Sequence, residues 1–139
     1  MSVKSPEKTV ADALLADPDV SAIVGDRIYP VLAPETASLP FATWRRQAVQ
    51  RESSLSGPIG MPVVTLALEL YAATYYAARE LADRCRRKLD GWGTDVGSSV
   101  SVRHVELQNE SDGFVQLAGG DLPPVYAVTQ TYTILWQEN

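Results

Sequence analysis

Between Pro62 and Gly91 a nearly unbroken apolar run turns directly into an amphipathic helix, and this junction constrains the fold more than any other stretch. Val64, Leu66, Leu68 and Leu70 alternate with Val63, Thr65, Ala67, Glu69 and Tyr71. Successive strand side chains point to opposite faces, so a run apolar on nearly both predicts a strand buried on both sides, central in its sheet. Thr74 then offers an N-cap hydroxyl. Tyr75, Ala78, Ala82, Cys85 and Leu89 recur at spacings of three and four, with Ala77 and Leu81 widening the stripe. On the opposite side Glu80 precedes Arg84, and Asp83 precedes Arg87, by four residues, the favourable order for helical ion pairs. Arg86, Arg87 and Lys88 meet the negative end of the helix dipole, and Gly91 supplies the stop. A buried strand feeding such a helix commits the chain to a helix-on-sheet layer.

The flanks complete that layer. Residues 1–5 are expected to be flexible. Ser5-Pro6-Glu7 carries an N-cap, a proline at the first helical position and an acid in the first turn. Val10, Ala13, Leu14 and Asp17 continue at helical spacing. Asp17-Pro18 breaks this helix and starts a short second one, buried through Val20, Ile23 and Val24 and ended by Gly25. Arg27-Ile-Tyr29 leads into a loop marked by Pro30, Pro34 and Pro40. Residues 41–49 alternate as a strand. Residues 50–62 are Ser-, Gly- and Pro-rich and are expected to form a long loop. After a glycine-rich turn, residues 100–108 read as a strand, Asn109-Glu-Ser-Asp-Gly113 as a turn, Phe114-Val-Gln-Leu117 as a short strand before Gly119-Gly120, and residues 125–136 as a long closing strand. The expectation is one α+β domain over residues 1–139: a three- to four-stranded mixed or antiparallel sheet with two main helices packed on one face.

Composition narrows function mostly by exclusion. A 139-residue chain with 45% hydrophobic residues buries roughly two-thirds of its unfolded surface, enough for a core. A net charge of −5 argues against a protein that holds nucleic acid by neutralising phosphates. With one cysteine and one histidine there is no internal disulfide and no usual zinc set, and the scattered acids suggest no metal cage. The first six residues lack the apolar core of a secretion signal, and no apolar run is long enough to span a bilayer. His104 lies in a strand and reads as a structural imidazole; Cys85 lies in the apolar helical stripe and reads as a small buried hydrophobe. Gly91-Trp-Gly93 with Gly97 follows a helix and precedes a strand, the reverse of a dinucleotide-binding turn. No catalytic residue, cofactor or metal site is expected.

Surfaces are left to carry function. The basic end of the main helix is interleaved with acids and reads as a solvated, salt-bridged face. The long loop, with Arg45, Arg46 and Arg51 before and within it and Leu55, Ile59 and Met61 along it, is a candidate arm reaching a neighbouring subunit. The closing strand exceeds the usual five or six residues, and as an edge it would invite pairing with another chain. Its Tyr126, Tyr132 and Trp136 are candidate contact residues, aromatic side chains being common both in cores and in subunit interfaces.

The order of these pieces resembles a known family. Ala13-Leu-Leu-Ala-Asp-Pro-Asp-Val20, Val24-Gly-Asp-Arg-Ile-Tyr-Pro30 and Leu39-Pro-Phe-Ala-Thr-Trp44 look like the tail completion family of tailed bacteriophages. So do Leu66-Ala-Leu-Glu-Leu-Tyr-Ala72 with the helix that follows it and, more weakly, Ile134-Leu-Trp136. The similarity runs from about Val10 to Trp136 and is least over residues 95–122. It implies a non-enzymatic tail terminator, assembled in the host cytoplasm and residing at the head-proximal end of the virion tail. Copies would form a homo-oligomeric ring, typically a hexamer, that stops tube growth and joins the tail to the head connector. Implied partners are the tail tube protein and the connector or stopper protein, with no membrane. The genome would pass through an acidic lumen without specific binding, each copy contributing −5. Two rival functions are a head-side stopper or adaptor ring and a small nucleic-acid-binding module built on the basic helix end.

Overall fold

A computed structural model describes residues 5–34, 37–54, 57–93, 100–115 and 125–138, with side chains described in the strands outside 51–54, 57–61, 100–101, 114–115 and 137–138. Two capped helices open the chain. α1 (Pro6–Ala16) begins where the Ser5 hydroxyl accepts the Lys8 N–H at 3.1 Å, and α2 (Pro18–Val24) where the Asp17 carboxylate accepts the Val20 N–H at 3.2 Å. Gly25 ends α2 at φ +60°, backbone that a side chain would resist. β1 (Ile28–Pro30) follows, then β2 (Phe41–Ser54), β3 (Gly57–Ala72), α3 (Tyr75–Leu89), β4 (Val100–Val115) and β5 (Val125–Glu138).

The five strands form one sheet in the order β1-β2-β3-β5-β4, antiparallel except for the parallel β1–β2 pair. One face is covered by helices. There Leu66, Leu68 and Leu70 of β3 and Val128, Tyr132, Ile134 and Trp136 of β5 meet Val10 and Leu14 of α1, Val20 and Val24 of α2, and Leu81, Cys85 and Leu89 of α3, in one buried cluster. Each fully buried leucine in it is worth roughly 1.5–3 kcal/mol of transfer free energy. The alternate residues form a barer face on which threonines dominate β5: Thr129, Thr131 and Thr133 are half-buried there, beside Ala127.

Several sequence expectations are corrected. The sheet has five strands, against the three to four expected, because Ile28–Pro30 adds a short parallel strand; the three helices are the two main ones expected and the short one begun at Asp17-Pro18. Three residues ahead of a proline-marked loop carry no alternation that would announce it. The long loop expected at residues 50–62 is instead strand on both sides of residues 55–56: β2 and β3 form an extended hairpin pairing Glu52 with Ile59 and Ser53 with Pro58. The turn expected at residues 109–113 lies inside β4, where register with β5 continues from Asn109↔Thr131 to Val115↔Val125. The short strand expected at 114–117 is the end of β4 as far as Val115. Residues 1–4, Leu55, Gly97, Gly119 and Gly120 lie outside the described residues. The strand expected to be central, β3, is central.

Candidate functional site

The candidate contact surfaces are the outer side of α3, the sheet margins and the bare face of the sheet. α3 forms because Thr74 caps it, accepting the Ala77 N–H at 3.2 Å, and because Ala78, Leu81, Ala82, Cys85 and Leu89 give it one buried side. Its outward cations are committed locally. Arg84 reaches Glu80 at 2.8 Å and also donates to the Asp19 carbonyl; Arg86 and Arg87 converge on Asp83 at 2.5 and 2.6 Å. The hydrogen bond from Arg86 holds the Asp83 carboxyl below its usual range, and the charge of Arg87 adds to it. This is the salt-bridged face that the spacing predicts, and its arginines are not left as a free phosphate-binding track.

Cys85 is buried within that helix, and burial pushes its thiol up to about 12, so it is no thiolate nucleophile near neutral pH. His104 is exposed, 3.9 Å from Glu106 on the same face of β4. Among the described residues no three His, Cys, Asp or Glu side chains converge as a metal site would require, and no helix is long and apolar enough to cross a membrane.

The candidate contact residues separate. Arg45 and Arg46 are exposed on β2 but on opposite faces; Arg45 joins the bare face, while Arg46 lies 3.8 Å from Glu7, a carboxylate only 5% exposed at the start of α1. Arg51 lies in β2 and Ile59 and Met61 in β3, so these three belong to the hairpin and not to a loop; their side chains, and Leu55 entirely, fall outside the described residues. Tyr132 and Trp136 are corrected from contact residues to core residues: both are buried beneath the helices. The Tyr132 hydroxyl donates to Gln130 at 2.7 Å, and Gln130 donates to the Ala82 carbonyl at 2.8 Å and to Glu110 at 2.7 Å, tying β5 to α3 and β4. Burial pushes the Tyr132 phenol well above its ordinary value. Tyr126 is half-buried on the same face, edge-on to Tyr75. The expected edge is also relocated, since β5 runs between β3 and β4.

Two features were not anticipated. After β1 a tight turn places Val31 at φ +64° with the Leu32 N–H bonded to the Pro30 carbonyl, and holds Val31 66% and Leu32 81% exposed. A β-branched residue in this conformation is strained, and here it rims a cleft of about 260 Å³ with Phe41 and Tyr71, whose rings stand 4.9 Å apart. Tyr71 also donates a short hydrogen bond to Glu69. No sequence pattern marks this turn beyond the prolines around it. The second feature is the outer margin of β4. Gly91 and Trp92 exchange backbone hydrogen bonds with Val105 at 2.7 and 2.8 Å, and Asp90 accepts the Leu107 N–H at 3.1 Å. The turn after α3 thus holds that margin at 105–107, while among the described residues nothing pairs with the outer side of 108–115, whose inner side is on β5.

Comparison with known proteins bears on the whole chain. The family model for tail completion protein gp17 matches residues 8–130. Among curated proteins none matches. Among solved structures, a chain of the virion of a native gene transfer agent particle superposes with a TM-score of 0.71 at 15% identity, covering 94% of this chain and 92% of that one. At that identity the likeness speaks for the fold.

Proposed function

The chain belongs to the tail completion protein gp17 family, and on that premise we propose that it is a tail terminator, closing the head-proximal end of the tail tube. Membership makes it a structural protein of the virion tail. Copies assemble into a ring of six, stop tube polymerisation and offer the head connector a docking surface. The observation that carries this is the family match across residues 8–130. The geometry agrees in two respects. A closed ring of identical subunits needs two different adhesive surfaces on each copy, and this sheet has unlike margins. Its bare face also presents threonine hydroxyls along β5, flanked by Glu69 on β3 and Glu106 on β4 with Arg45 beyond them on β2, and so lacks the dense cations whose counterion release would retain DNA.

The test is tube growth. Tail tube protein polymerised with this chain should give tubes of limited length that carry a ring at one end in negative-stain images. Unchanged tube lengths and bare ends would overturn the proposal, and binding to tail-less capsids in place of tubes would make the chain a head-side stopper.

A further inference from the structure

We propose that successive copies join edge to edge, the open part of β2 of one copy pairing antiparallel with the open part of β4 of the next, so that the sheets run on as one closed barrel. This deepens the ring function above and presupposes it. β1 occupies the outer side of β2 only at residues 42–44, and among the described residues nothing pairs with the outer side of 45–54. On the opposite margin the turn at Asp90 to Trp92 occupies the outer side at 105–107, and among the described residues nothing pairs with the outer side of 108–115. Each copy therefore has two unlike open edges, and unpaired edges template pairing with another chain.

Three observations select a second copy as the occupant. The first is direction. β2, β3, β5 and β4 alternate strictly, so a neighbour placed beside β4 brings its β2 up antiparallel and extends the ladder without a break. The second is charge. Residues 45–54 carry Arg45, Arg46 and Arg51 against Glu52, whereas residues 108–115 carry Glu110 and Asp112 and no base. Glu110 accepts from Gln130, and Asp112 accepts from Tyr75 and lies 4.0 Å from Arg79, so both remain as exposed acids with contacts inside their own chain.

The third is the offset. Through the registers Arg45↔Ala67, Ala67↔Thr131 and Asn109↔Thr131, Arg45 stands level with Asn109. Setting residues 45–54 beside 108–115 shifts the neighbour by about six residues, roughly 20 Å along the strands. The shift is even, so both copies keep their helices on the same side. Four strands span roughly 19 Å across, and the two lengths together make a tilt of about 45°, at the upper end of the range that closed barrels require. A level neighbour would collide, β1 meeting the open half of β4 and the Asp90 to Trp92 turn meeting the open half of β2.

Cysteine pairs test the contact. Gln50→Cys is combined in turn with Asn109→Cys, Ser111→Cys and Gly113→Cys, all on the bare face; an added Cβ at Gly113 meets nothing within 4 Å. Within one copy the two edges are three strand spacings apart, roughly 14 Å, too far for a disulfide, so every crosslink joins two copies. The native Cys85 is buried and silent. After mild oxidation at least one pair should give a covalent ladder up to the full ring, at least tenfold more intense than from either single-cysteine variant. A wild type that is oligomeric by light scattering while no pair crosslinks overturns the edge contact and leaves the ring standing. A wild type that stays monomeric in solution and on tail tubes, with no ladder from any pair, removes the ring as well.

Discussion

Gln130 is a fully buried amide in the middle of a sheet, and it is tolerated because both ends of the amide are used. A buried polar group without partners costs about 1–3 kcal/mol. Gln130→Leu removes the acceptor of the Tyr132 hydroxyl and a donor to Glu110, and should lower the unfolding free energy in urea by about that amount. Cys85 and Tyr132 act through protons. Both are held neutral in the fold above their ordinary pKa, the thiol up to about 12 from 9.0, chiefly by burial. Once pH passes 9 the unfolded thiol ionises while the folded one keeps its proton, so the unfolded state binds fewer protons and stability falls as pH rises. Chemical denaturation at pH 8, 9, 10 and 11 should show midpoints dropping steadily over the last three, and Cys85→Ala should flatten the first part of the drop. The aromatic residues mark the limit of reading at this scale. Tyr126, Tyr132 and Trp136 share a face by alternation, which the sequence displays, but which side of the sheet the helices take is decided by the whole core and not by three residues.

Among the elements, α3 is the most legible, because cap, stripe, ion pairs and stop agree with one another. Only Ala77 departs, lying exposed beside the stripe. Leu89→Ala empties a fully buried site in the last turn and should cost about 2–4 kcal/mol, while Thr74→Ala removes one capping bond and should cost about 1 kcal/mol. Equal losses in thermal denaturation would count against this account of the helix. The hairpin of β2 and β3 was hidden because Ser, Gly and Pro are poor strand formers, and pairing with a partner strand overrides local preference. The same override carries β4 through Asn109-Glu-Ser-Asp-Gly113, a composition that signals a turn when read alone. Register shifts between Val102 and His104 and between Leu107 and Asn109 also disturb the alternation that would have announced one long strand.

Over the whole molecule, the layer of helices on one side of a sheet was legible and the strand order was not. The chain places β5 between β3 and β4, so the last strand in sequence fills an interior position, and alternation alone carries no information about neighbours. The family, by contrast, is visible in the sequence, because short blocks in a fixed order extend over most of its length. One glycine ties the molecule's margin to its assembly. A Cβ on Gly93 would stand 2.6 Å from the Arg103 carbonyl oxygen, so Gly93→Ala must push the turn after α3 away from β4. Exposing the full 16 residues of that strand should convert discrete particles into polydisperse aggregates, seen as a broadened distribution in light scattering while circular dichroism keeps its α+β shape. The hydrogen bonds that tie Gly91, Trp92 and Asp90 to Val105 and Leu107 thus act as a fence across a landing strip. On the proposed contact they would leave an incoming molecule a single berth, and repeating that one berth gives a ring when its rotation closes and a filament when it does not.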